Sequence, residues 1–195
     1  MLFRLKNSKV MKIRIYILLG IIAIAFASCN LSNSSNNTPE IYFVTNPFIN
    51  KSDTLNRYRT DIAGLYRMDT IHVGDTVTFR MLFWGYSNNL TTCNVISSDT
   101  SITKILFPST NSLDSVFLST QSDYSTGKFI FKSKISSLYL PFKYVAKKVS
   151  KDVKLTFSIS SDANFDNSSS MGNNSTSFVL ITPVKLAIPP ALVRK

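Results

Sequence analysis

Trp84 and Tyr86, in the stretch "FWGYSNN" (residues 83–89), are the side chains whose types and spacing most readily suggest binding chemistry. Aromatic rings stack on the C–H faces of sugars and neighbouring asparagine amides bond hydroxyls, so this stretch could form a glycan platform. The same tryptophan, the only one in 195 residues, ends an alternating apolar segment, where its simplest role is to plug a hydrophobic core. The core plug is the expected arrangement. Catalytic chemistry finds less support. His72 is the only histidine; it lies between Ile71 and Val73, with its ring expected on the opposite face at a surface or sheet edge. No second histidine exists to build a zinc site or a facial triad. Glu40 is the only glutamate, so paired carboxylates would have to come from aspartates, which mostly fall in turns. Nucleophile-elbow, Walker and dinucleotide fingerprints are absent. The sequence therefore assigns no catalytic residue, metal ligand or cofactor, and the chain is expected not to be an enzyme.

Three further groups have plainer readings. In "DANFDNSSSMGN" (162–173), Asp162, Asn164 and Asp166 match the first three ligand positions of a calcium loop, but Asn167 replaces its glycine and Asn173 its bidentate glutamate. A polar loop whose Asp and Asn side chains satisfy their own backbone is expected instead. Cys93, sharing a strand face with Val95, reads as a small buried hydrophobe. Lys147, Lys148 and Lys151 read as a solvated turn.

The elements that must position these residues are strands. In "VKLTFSIS", Val153, Leu155, Phe157 and Ile159 face one way and Lys154, Thr156, Ser158 and Ser160 the other. In "TVTFRMLFWG", Val77, Phe79, Met81 and Phe83 alternate in the same way, with apolar residues on both faces at Leu82 and Trp84. Further strands are expected at 40–45, 65–73, 91–97, 102–107, 115–120, 128–132, 138–145 and 177–185. Pro141 suggests an edge or a bulge. Residues 52–67 could hold a short helical turn. Gly74-Asp75 should close a tight hairpin, and "SDYSTG" (122–127) a longer one. About ten closely spaced strands predict an all-β fold, an antiparallel β-sandwich over residues 40–195.

The N-terminus sets an address. The 13 mostly apolar residues Ile15–Ala27 follow Arg4, Lys6, Lys9, Lys12 and Arg14. That run is too short to span a bilayer and suits an export signal. Met11 is a second candidate start. Without the five signal cations the charge falls from +11 to +6, and an exported chain is a poor partner for nucleic acid. After Cys29, "NLSNSSNNTP" is too polar to fold alone. Residues 29–39 read as a flexible tether up to roughly 35 Å long.

Two resemblances follow from these residues. Phe26-Ala27-Ser28-Cys29 resembles the lipobox of bacterial lipoproteins, which implies removal of residues 1–28 and acylation of Cys29. Lipobox, Ser/Asn-rich tether and single β-domain together are similar to the small outer-membrane lipoproteins of the Bacteroidota. That likeness implies lipid anchoring in the outer membrane, at the periplasmic leaflet or cell surface, and an unknown protein or glycan partner. It also implies O-glycosylation at Asp-Ser/Thr-apolar motifs, here Thr54, Thr70, Thr76 and Ser115. "IHVGDTVTFRM" (71–81) resembles the opening of bacterial immunoglobulin-like domains, which refines the expected sandwich to an immunoglobulin-like one.

Overall fold

A computed structural model describes residues 36–50, 53–166 and 172–187. Alternating β-branched and aromatic residues form strands because such side chains pack well on a pleated, half-buried surface. The strands are β1 (Glu40–Phe43), β2 (Phe48–Asn50), β3 (Asp53–Thr54), β4 (Arg57–Arg59), β5 (Leu65–Met68), β6 (Ile71–His72) and β7 (Thr76–Trp84). They continue with β8 (Leu90–Ser97), β9 (Thr103–Leu106), β10 (Lys128–Ile130), β11 (Ser137–Ala146), β12 (Lys154–Ser161), β13 (Ser175–Ile181) and β14 (Val184–Lys185). One short helix, α1 (Thr110–Asp114), lies between β9 and β10.

The first sheet has the order β3-β2-β7-β11-β9, with β1 also paired to β7; the second runs β10-β8-β12-β13-β5-β4. Successive long strands β7 and β8, and again β11 and β12, belong to opposite sheets. This is the Greek-key distribution of an immunoglobulin-like sandwich. Between the sheets, Phe79 of β7 stacks on Phe142 of β11 at 4.9 Å, and both rings lie within 6.3 Å of Phe157 on β12. Phe79, Phe157, Cys93 and Val95 are fully buried, in the phase that the alternation predicts.

Several local expectations are corrected. The sandwich is not wholly antiparallel: β13 pairs with β5, and β14 with β6, in parallel. The expected strands 65–73 and 177–185 lie side by side, and both are interrupted, at Asp69-Thr70 and at Thr182-Pro183. The Gly74-Asp75 turn forms, with the Asp75 N–H donating to His72 O at 3.0 Å, but it closes no hairpin. Its flanking strands pair with different partners, β6 with β14 and β7 with β11, so the turn hands the chain from one sheet to another. Residues 53–67 hold short edge strands rather than a helical turn. Gly64, at φ +73°, closes the β4–β5 hairpin, and the Thr60 N–H donates to Leu65 O. The expected strand 115–120 is instead the exit from α1, with a single bridge between Phe117 and Phe131.

Pro141 sits within β11, between β7 and β9, yet its missing N–H breaks no pairing with β7. Ala146 exchanges backbone bonds with the turn before β7, through Gly74 N–H and Asp75 O. With a period of two, residues 138, 140, 142 and 144 point the same way and Pro141 the other. On that other side β9 reaches only to Lys143, so Pro141 stands at a local edge.

Candidate functional site

The site is built at the end of β7. Inward-facing Val77, Phe79, Met81 and Phe83 are fully buried, which fixes the phase and turns Arg80, Leu82 and Trp84 outward. Trp84 is 38% exposed, so the core-plug expectation is corrected: the indole stands on the surface. Directly after it, Gly85 is buried and Tyr86 takes φ 59°. A bulky residue with positive φ is held against its steric preference. That backbone bends the Tyr86 ring back onto Trp84, stacked at a centroid distance of 3.9 Å.

Neighbouring strands complete the cluster. Glu40 lies opposite Trp84 in β1, and Tyr42 opposite Leu82. The Tyr42 ring is 6.4 Å from the indole, and its hydroxyl is 3.5 Å from that of Tyr86. A hydrogen bond to the Glu40 carboxylate raises the Tyr86 phenol above its ordinary range, with burial and the carboxylate charge adding to the shift. On the other side of β7, Tyr139 lies opposite Leu82 and is exposed. Tyr42, Val44, Trp84, Leu106 and Tyr139 thus stand on the outward face of the first sheet, which they share with the exposed cations Arg80, Lys104 and Lys143. The outward residues of β12 and β13 in the second sheet are Lys154, Thr156, Ser158, Ser160, Ser175, Ser177, Val179 and Ile181, of which five carry hydroxyls.

Sequence reasoning found Trp84 and Tyr86 but missed Glu40, Tyr42 and Tyr139. The missing information is strand pairing, because these residues come from two other strands, β1 and β11. The phase of β7 is a usable signal: Trp84 is even-numbered, in step with Arg80 and Leu82 and out of step with the inward Val77 and Phe79.

The other candidate residues do not join this cluster. The Asp162 carboxylate accepts from the Asn89 backbone N–H at 2.7 Å and from the Asn89 amide at 2.8 Å. Asn164 Oδ1 accepts from the Asp166 N–H and Asn173 Oδ1 from the Ser175 N–H, as expected of a polar loop; Asn167 lies outside the described residues. Among the described residues no three His, Cys, Asp or Glu side chains converge on a point. His72 is half-buried, its Nδ1 3.7 Å from Asp75 Oδ2. Burial alone pushes the Cys93 thiol far up, which keeps it un-ionised and unreactive. Lys147, Lys148 and Lys151 are exposed at the opposite end of β11 from Trp84. Thr54, Thr70 and Ser115 are exposed, whereas Thr76 is half-buried at the start of β7. Cys29 lies outside the described residues.

The expected tether is shorter than its composition suggests. Asn36 Oδ1 accepts from the Asn164 N–H at 3.1 Å and from the Asn88 amide at 3.3 Å, and the Asn37 N–H donates to Asn88 Oδ1. Thr38 and Pro39 bond Asn173 and Thr176, and Pro39 is buried. Residues 36–39 therefore belong to the domain, because their amides and carbonyls satisfy two loops at its end.

Fold and cluster together define an immunoglobulin-like sandwich with an aromatic patch on one sheet. No protein-family model matches the chain, and no curated protein matches it. Among solved structures it is similar to a DUF4466 family protein from Parabacteroides merdae, at 13% identity and TM-score 0.36, covering 74% of this chain and 46% of that one. It is also similar to the C-terminal domain of the Streptococcus agalactiae AgI/II polypeptide BspA, at 13% identity and TM-score 0.34, over 74% of this chain and 50% of that one. A family 123 glycoside hydrolase from Clostridium perfringens matches at 13% identity and TM-score 0.33, over 70% of this chain and 28% of that one. The chain spans half or less of each of these structures.

Proposed function

We propose that the chain is a non-enzymatic, lipid-anchored module of the cell envelope that binds a protein partner through the outward face of its first sheet. The observation that carries this reading is a difference between the two outward faces: the first sheet exposes Tyr42, Trp84, Leu106 and Tyr139 among Arg80, Lys104 and Lys143, while β12 and β13 of the second present mainly serine and threonine. Exposed aromatic and aliphatic side chains rimmed by polar and charged ones are how a protein-binding surface presents itself. The anchor is Cys29, acylated after removal of residues 1–28, in the outer membrane. The experiment places a photo-crosslinking residue at Leu106, exposed on that face, and, separately, at Ser158 on the opposite sheet, in intact cells. A discrete crosslinked product from position 106 and none from 158 is expected; equal crosslinking from both faces would refute the assignment. Cys29→Ser should leave unprocessed precursor without an acyl group by mass spectrometry. A normally acylated product from that variant would refute the anchor.

Glycan binding at Trp84 and Tyr86 is the second reading, favoured by the exposure of the indole. Against it, Tyr86 already covers one face of that ring. Glycan attachment at Thr54, Thr70 and Ser115 is a separate proposal, supported by their exposure.

A further inference from the structure

The chain enters the domain beside the aromatic cluster. Asn36 and Asn37 bond Asn88, two residues beyond Tyr86, and β1 then starts with Glu40 opposite Trp84. Six residues, 30–35, separate Cys29 from Asn36. The backbone from Cys29 to Asn36 can reach at most about 25 Å. An acylated Cys29 would therefore hold this end of the sandwich against the bilayer surface. The far end, with Lys147, Lys148 and Lys151, is a strand length away, about 30 Å for the ten residues of β11.

The side chains at the near end suit that position. Trp and Tyr collect at membrane–water interfaces because each has an apolar ring and a polar tip. Here two tyrosine hydroxyls and the Glu40 carboxylate form the wet rim around the exposed indole. Charges at this end are of both signs: Glu40 lies opposite Trp84 and Asp162 bonds Asn89, while Lys134 is two residues before Ser136, whose carbonyl accepts from the Gly85 N–H; attraction to anionic lipid is therefore not what recommends the site. We propose that Trp84, Tyr86 and Tyr42 form a direct contact with the phospholipid interface, so that the domain stands on its membrane by this end. The contact rests on the acylation of Cys29 proposed above. It fixes an orientation: the rest of the outward face of the first sheet rises from the bilayer, and the lysine-rich end points away from it.

The test uses the mature acylated protein reconstituted in phosphatidylcholine vesicles, with and without lipids brominated near the top of their acyl chains. Trp84, as the only tryptophan, should lose much of its emission in the brominated vesicles and resist acrylamide. In Trp84→Phe combined with Lys148→Trp, the indole at the far end should keep its emission and remain open to acrylamide. Substituting phosphatidylglycerol for half of the phosphatidylcholine should change neither result. Equal Trp84 emission in plain and brominated vesicles, with acylated Cys29 verified by mass spectrometry, would overturn the contact and leave the anchor standing. Absence of the acyl group would overturn the anchor itself. Shielding of Trp84 by added polysaccharide, without quenching by brominated lipid, would overturn the contact and assign the cluster to glycan.

Discussion

Phe157 and Trp84 are both large aromatic residues on long strands, and their positions within the alternation separate their fates. Phe157 is fully buried among Phe43, Phe79, Phe142 and Phe178, so its removal leaves a cavity with little room to collapse. Phe157→Ala should cost about 3–5 kcal/mol in denaturant unfolding. Trp84→Ala forfeits an exposed ring pair and should cost only about 1 kcal/mol. Lys154→Ala, on the solvent face of β12, should stay within about 0.5 kcal/mol. A loss for Trp84→Ala equal to that for Phe157→Ala would contradict the outward placement of the indole.

Turns carry the element-scale specificity. Gly127 takes φ +77°, and a Cβ there would meet Val95 O at 2.0 Å, against backbone that cannot yield cheaply. Gly127→Ala should therefore cost about 2–3 kcal/mol. Gly74, at φ +97°, has open space around a built Cβ, so Gly74→Ala should cost only about 1 kcal/mol from backbone strain. Denaturation midpoints for the two variants check the difference. The 122–127 turn ahead of Gly127 is tied by Asp123, whose carboxylate accepts from the Ser125 hydroxyl at 2.6 Å and the Thr126 N–H at 3.2 Å. The bond from the Ser125 hydroxyl leads the effects that lower its pKa to about 2. A depressed carboxylate contributes stability that is present above its unfolded value and lost as pH falls through the folded one. Between about pH 4 and pH 2, wild-type protein should lose more stability than Asp123→Asn. Parallel losses in the two proteins would show that the carboxylate does not tie the turn.

At the scale of the molecule, protection should follow the sheet order. Amides in the centres of β7, β8, β11 and β12 have neighbours on both sides or the core beneath them. Those in β3 and β4 lie at sheet edges with largely exposed side chains. Hydrogen exchange should be slowest in the first group and fastest in the second. Equal protection of β4 and β12 would contradict the sheet order.

Residue order alone carries the β class, the inward set on β7 and β12, and the burial of Cys93, because strand alternation is local and has a period of two. Short apolar runs such as "SVFLST" were ambiguous for the same reason, since three apolar residues carry no period. The pairing of strands, the parallel course of 65–72 and 179–185, and the inclusion of residues 36–39 in the domain emerge in the folded chain. Those are contacts between residues up to 137 positions apart, and no local pattern encodes them. The candidate site divides in the same way. Trp84 and Tyr86 stand out by residue type, but their outward phase and their union with Glu40, Tyr42 and Tyr139 come from the register of β1, β7 and β11, which long-range pairing sets.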